Sequence, residues 1–426
     1  MKISKYHIAL LLFLTGIVIE FGFLSFWKGN FGIKISPAIW MFGGLLTCLS
    51  GWYIISQEKE VNIQRSDKWN QLMVYGTFVI GAIIFGLVLN KIFGRFPIDP
   101  LDSDIVPSIQ LYVQRLLAGK TVYTPLQFET HVVLPTYFPM MWAPYLFSEL
   151  LQIDYRWTAY LVFLLGLFLW SRKLAKSNIP AWEAVMKMAI PFLLLFIYAD
   201  HERGSFAYAV ELMPIGFYLF LVYGVNHRSN FVIAAGIICC LLSRYAFTFW
   251  LPVYLFILWR EFDWKAIQVS ILAGLGVLFI YIIPFLGPNP QILLDGLAYY
   301  DTTILAEWSR VHTPDPALSP FQLTRGLSYA VYFLPEFGQD ATENIALNKK
   351  VHLAVSLFIA ALILAMYYVL KPKGEKLKWY LIVALKFYFI FFYGFFYMPF
   401  NYLFLLPFIL SIPLLFQIKW HIGPAK

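Results

Sequence analysis

Residues 138–150 read Phe138-Pro-Met-Met-Trp-Ala-Pro-Tyr-Leu-Phe-Ser-Glu-Leu150, an apolar stretch containing Pro139 and Pro144. Whether it crosses a membrane decides the arrangement of the whole chain. At about 13 residues it falls short of the ~20 that a helix needs to cross ~30 Å of hydrocarbon, and the prolines weaken its interior. If it crossed, Arg172, Lys173 and Lys176 would face outward and every later loop would invert, taking Lys371, Lys373, Lys376 and Lys378 with it. If it lies along the interface, the basic groups at Lys2/Lys5, Lys59/Arg65/Lys68, Arg172/Lys173/Lys176, Arg228, Arg260/Lys265, Lys371 to Lys378 and Lys419/Lys426 share one side. The enrichment of Lys and Arg in cytoplasmic loops favours this second arrangement, with Phe138–Leu150 as an interfacial segment.

The rest of the chain is consistent with that setting. Of its 426 residues 60% are hydrophobic, 19% aromatic and 13% charged, with a mean hydropathy of +0.69, which identifies a polytopic membrane protein of the all-α class. The net charge of +8 would suggest a nucleic-acid partner in a soluble chain. Here the cations gather in short loops that orient helices, so none is expected. Apolar runs recur at Ile8–Trp27, Pro37–Ser56, Gln71–Phe93, Tyr155–Ser171, Ala184–Tyr198, Phe206–Gly224, Ala266–Leu286, Val351–Leu370, Tyr380–Tyr397 and Asn401–Gln417. The longer run Phe231–Trp259, interrupted by Ser243-Arg244-Tyr245, reads as two short helices hinged there, for about twelve spans in all. The first run follows two lysines as a signal peptide would, but its length and lack of a small-residue cleavage site mark a spanning helix that is retained. Cys48, Cys239 and Cys240 lie in apolar runs without metal-ligand spacing and read as small core residues.

Residues 1–426 thus form a single membrane domain with two large non-cytoplasmic loops, Gly94–Asp154 and Gly287–Lys350. Loops of this length in a tight bundle are usually functional. The first carries Asp99, Asp102 and Asp104 just after the third span. A carboxylate there could act as general base toward an acceptor hydroxyl, or Asp102 and Asp104 could hold a divalent metal; a bare Asp-x-Asp is also a common solvated cap.

The residues that follow give the acidic group a context. Asp102-Ser-Asp104 precedes a helix-forming stretch from Ile109 through Tyr112 to Gly119, then Tyr123, then Tyr137-Phe-Pro139 and the apolar Met140–Leu150. This order resembles the GT-C glycosyltransferases, the multispanning enzymes that use polyprenyl-phosphate-linked sugars, including bacterial mannosyltransferases. The resemblance implies a GT-C-like fold with interfacial helices in the first loop and an inverting transfer of a sugar. It implies Asp104, or else Asp102, as the catalytic carboxylate, with Tyr123 and Tyr137 in the substrate site. It further implies a polyprenyl-phosphate sugar donor, an acceptor that is lipid-linked, glycan or protein, and a bacterial inner membrane with the site facing the periplasm or exterior. Two spans, Ile8–Trp27 and Pro37–Ser56, precede the one that would ordinarily come first in that family.

A phosphate-bearing donor calls for cations at the outer surface. Arg203 and His201, in the turn Asp200-His-Glu-Arg203, are candidates together with Arg244 and Arg310, while Glu202 is a substrate contact; Arg244 also reads as a side chain that snorkels to the interface. Glu211 lies about two turns into the expected sixth span, placed either to pair with one of these arginines or to be buried structurally. In the second loop Tyr300 and Trp308 could stack on a sugar, although aromatics at a membrane surface are commonly belt residues. Glu20 and Lys386 fall within spans and need partners, with Lys386 near enough to the cytoplasmic end to snorkel.

Two other readings compete. A lipid-linked saccharide flippase or transporter would place polar residues and broken helices at the midplane, often in repeated halves, whereas this chain gathers them at one surface without a repeat. A polysaccharide polymerase or ligase would share the large outward loops but not the order of acidic residue, glycine, tyrosines and Tyr-x-Pro.

Overall fold

The computed structural model describes residues 5–28, 30–57, 68–129, 131–312, 323 and 326–420. Lys2, Lys59, Arg65 and Lys426, counted above among the basic groups, lie outside the described residues. The described residues are predominantly helical, with one small hairpin among them. Its longer helices are α1 (Lys5–Gly22, continued by a wider π turn to Trp27), α2 (Ser36–Gln57), α3 (Lys68–Arg95), α4 (Ile105–Leu117), α5 (Tyr155–Ala175) and α6 (Ala181–His201). After these come α7 (Leu212–His227), α8 (Asn230–Leu241), α9 (Trp250–Glu261), α10 (Asp263–Val277, π-wound to Leu286), α11 (Gln291–Ser309), α12 (Ala341–Leu370) and α13 (Glu375–Gly394). Among the described residues eight helices are long and apolar enough to cross a membrane, namely α1, α2, α3, α5, α6, α10, α12 and α13.

Glycines set the tightest crossings. A Cβ on Gly16 of α1 would lie 2.8 Å from the Gly43 carbonyl oxygen of α2, and one on Gly216 of α7 would lie 2.5 Å from the Val162 oxygen of α5. Only hydrogen at those positions lets the backbones approach so closely. The helices around the periphery, α3 and α10, bury little of their surface within the bundle, as expected of faces that meet lipid.

Several boundaries differ from the sequence reading, each for a local reason. The sixth helix begins at Leu212 rather than Phe206, because Gly204–Ala207 forms a separate turn and the chain is unwound to Glu211. Glu211 is therefore the residue that starts α7, not one two turns inside it. Pro214 then occupies the first turn, where a missing N–H costs nothing. The expected span Asn401–Gln417 is divided into Asn401–Phe404, Leu405–Ile409 and Ser411–Gln417, with Pro407 and Pro413 removing backbone donors. Helix α12 starts ten residues before Val351, and α11 occupies nineteen residues of the second large loop. The hinge within Phe231–Trp259 lies where expected, between α8 and α9.

In the first loop α4 ends as its glycine predicts. Gly119 adopts φ +63°, its N–H reaching the Leu116 oxygen and the Lys120 N–H reaching the Arg115 oxygen, a Schellman closure. Leu126–Gln127 and Val132–Val133 pair as a short antiparallel hairpin, β1 and β2. The segment opening at Phe138 is three short pieces, Pro139–Trp142, Ala143–Tyr145 and Leu146–Leu151. Even end to end they reach roughly 20 Å, less than the hydrocarbon thickness.

Candidate active site

Five segments converge at one end of the bundle. The acidic loop is tied to the unwound stretch before α7 by Ser103 Oγ, which donates to the Tyr208 oxygen at 3.2 Å, and by a hydrogen bond between Tyr208 and Asp102. The Tyr137-Phe-Pro139 segment is fixed to the α8–α9 hinge by the Met140 N–H, which donates to the Leu242 oxygen at 3.0 Å. Tyr123 sets the backbone of that segment, its hydroxyl donating to the Tyr137 oxygen at 3.0 Å and accepting from Trp142 Nε1 at 3.1 Å. Helix α11 closes over the same region, since a Cβ on Gly296 would lie 2.8 Å from the Pro135 oxygen.

Within this frame Asp104 and Arg244 share two tyrosine neighbours. The hydroxyls of Tyr137 and Tyr402 both lie within electrostatic reach of the Asp104 carboxylate and of the Arg244 guanidinium. Asp104 stands at the N-cap of α4, half-buried, yet its side chain makes no capping bond. Burial holds its carboxyl above the usual carboxylate range, offset in part by the nearby His131. Asp102 is solvent-exposed and engaged by Tyr208. Among the described residues no three His, Cys, Asp or Glu side chains converge as metal ligands.

The arginines divide by how many of their donors the fold uses. Arg156, 3% exposed, gives all its faces to structure. It bonds both Asp154 oxygens and the carbonyls of Phe93 at 3.3 Å, Phe96 at 2.7 Å and Ala207 at 3.0 Å, joining α3, α5 and the Gly204–Ala207 turn. Arg115 likewise binds the carbonyls of Val122, Thr124 and Pro125. Arg244 makes one ion pair, through one terminal nitrogen to Glu211, and its buried Nε has no hydrogen-bond partner. Its side chain remains 22% exposed. The buried hydroxyls of Tyr145, Tyr218 and Tyr393, also without hydrogen-bond partners, lie within electrostatic reach of it. A guanidinium with several free donors, ringed by phenols, is suited to an oxyanion.

The other expected site residues have partners of their own. Arg203 pairs with Asp200 at 3.1 Å on an exposed turn. Glu202 is held by Lys28, and His201 bonds the Ile197 oxygen. Arg310 is exposed beside Glu307 at 3.8 Å. Tyr300 joins the Arg244 surroundings, half-buried against Tyr397 and hydrogen-bonded to Tyr245. Trp308 requires correction as a sugar platform: its ring is fully buried and its N–H donates to the Tyr397 oxygen at 3.1 Å, so neither face is open. Lys386 does not snorkel; it is wholly buried against Glu20.

The sequence reading missed Tyr402 and the tyrosines around Arg244. They come from four separate helical segments, and only the charge of Arg244 hinted that a polar lining was needed. No protein-family model, curated protein or solved structure matches the chain.

Proposed function

We propose that this protein transfers a sugar from a polyprenyl-phosphate donor to an acceptor hydroxyl, with Asp104 as general base and Arg244 as the principal phosphate contact. The observation that carries the proposal is a half-buried carboxylate and an arginine with unused donors that share Tyr137 and Tyr402 as neighbours.

In this mechanism Asp104 takes the proton of the acceptor hydroxyl as its oxygen bonds to the anomeric carbon, and the bond from that carbon to the phosphate oxygen breaks. The electron pair leaves with the polyprenyl phosphate, whose growing charge Arg244 and the neighbouring phenols stabilise. Burial makes Asp104 a stronger base than an exposed aspartate. Glu211 aims Arg244 from behind and neutralises part of its charge when no donor is bound. The chain would lie in a bacterial inner membrane with both large loops outside, Phe138–Leu150 along the interface, and about twelve spans once the shorter apolar helices are counted with the eight long ones.

The direct test supplies radiolabelled polyprenyl-phosphate sugars to the purified protein in proteoliposomes. Label appearing in acceptor with release of polyprenyl phosphate is expected. Movement of intact lipid-linked sugar across the bilayer without transfer would replace this reading with that of a flippase.

A further inference from the structure

At the far end of α7 from Glu211, four separate stretches of chain bring their cations together. The helix has 16 residues and spans roughly 24 Å, so this end lies well away from Arg244. Lys173, near the end of α5, donates to Asn226 Oδ1 of α7 at 2.9 Å and lies 4.3 Å from the ring centroid of Trp379, the α13 residue next to Lys378. Lys265, at the start of α10, donates to the Arg228 carbonyl, and the Arg228 guanidinium covers the Phe262 ring at 5.5 Å. His227 is within electrostatic reach of Lys173, Lys176 and Lys378, and Lys265 is within reach of Arg228 and Lys378. The charges that act on both are thus positive. Lys378 is partly offset by Glu375 at 2.6 Å, while Lys176 and Arg228 are exposed.

Orienting membrane helices requires only that each short loop carry positive charge, not that loops distant in sequence meet. Like charges held side by side repel, and an anion among them relieves that repulsion. The surroundings indicate which anion. Helix α10 is long and apolar enough to cross a membrane and buries little of its surface in the bundle. Its exposed Trp264, Ile267, Ile271 and Leu275 recur at helical spacing and form one apolar stripe beside Lys265. A soluble phosphate would leave that stripe unused, whereas a phospholipid sets its phosphate among the cations and runs an acyl chain down the helix. We infer that these ends of α5, α7, α10 and α13 form a binding site for a bilayer phospholipid whose headgroup carries a net negative charge. The site is independent of glycosyl transfer.

Native mass spectrometry of the full-length protein in detergent tests this, with phosphatidylglycerol, phosphatidylcholine, inorganic phosphate and a polyglutamate peptide as probes. Saturable phosphatidylglycerol adducts, tighter than those of phosphatidylcholine, are expected, with affinity falling about fivefold in Arg228→Gln or Lys176→Gln and about 25-fold in the double variant. Lys120→Gln, which removes the same charge from the first large loop, should bind as the parent does. Arg228 and Lys176 are exposed, so unfolding temperatures in lipid-free detergent should stay near that of the parent. If the double variant unfolds early, the comparison of Lys176→Gln with Lys120→Gln decides. Phosphatidylglycerol affinity that is unchanged in the Arg228 and Lys176 variants overturns the site, as does equal binding of phosphatidylcholine. Polyglutamate or inorganic phosphate bound at this cluster in place of phosphatidylglycerol would assign it to an acidic protein or a free anion instead.

Discussion

Lys386 Nζ lies 2.7 and 2.8 Å from the two carboxylate oxygens of Glu20, and both side chains are wholly buried. The same ammonium donates to the Pro407 oxygen at 2.8 Å, a carbonyl in the proline-broken stretch after α13. One cation thus joins α1, α13 and a broken helix. Removing one partner leaves an uncompensated charge, so Lys386→Met should destabilise by about 3–5 kcal/mol. Glu20→Leu combined with Lys386→Met should recover most of that loss. Thermal unfolding in detergent measures both, and an undisturbed single variant would show that the pair does not hold α1 in place.

Asp104→Asn is expected to lower transfer by about 10²–10⁴-fold with little change in unfolding temperature, because a base acts in the transition state while this side chain caps no helix. Asp102→Asn, at an exposed carboxylate held by Tyr208, should lose far less. Equal losses in the two variants would show that the acidic loop acts as a unit rather than through one base.

The pH dependence has opposite signs for catalysis and for folding. The Asp104 carboxyl is held above its ordinary value by burial, so the ionised base disappears as pH falls through that raised value, and kcat/KM should fall there, at higher pH than an exposed aspartate near 4 would give. The folded state favours the protonated form. Its contribution to stability is therefore full below the unfolded value and is lost as pH rises through the folded one. Asp104→Asn should remove both dependences, and His131→Gln, which deletes the offsetting cation, should move the acid limb upward. An acid limb unmoved in His131→Gln would separate the imidazole from Asp104.

Arg244 and Arg156 should fail in different ways. Arg244→Lys keeps a charge for Glu211 but loses the planar set of donors, so the donor KM should rise about 10–100-fold in a folded protein. Arg156→Lys strips bonds from three backbone carbonyls and should lower the unfolding temperature sharply. The comparison requires donor titrations and unfolding curves for both. Reversed behaviour would exchange their roles.

Lys120, beside the α4 closure, is exposed in the first large loop. A cysteine at that position should react with an impermeant maleimide from outside intact cells, whereas Cys48 and Cys240 are buried and should stay silent. Labelling only after permeabilisation would invert the topology and put Asp104 on the cytoplasmic side.

The sequence alone determined the membrane setting, the spans carried by long apolar runs, the hinge at Ser243-Arg244-Tyr245 and the closure of α4 at Gly119, because hydropathy, proline and glycine act over a few residues. Asp104 and Arg244 were visible for the same reason: ionisable groups beside apolar runs stand out by charge. What only the tertiary structure decided is which charges meet. Glu20 and Lys386 are 366 residues apart, Glu211 and Arg244 are 33 apart, and no local pattern links either pair. The division of the arginines into structural and free ones depends on carbonyls released where helices end, as Phe93 and Phe96 do for Arg156. Trp308 was misread because an aromatic in a long loop looks the same in sequence whether its ring faces water or is buried against the Tyr397 backbone. Its position was settled by burial against segments far along the chain, where the gain from removing a large ring from water exceeds any local preference.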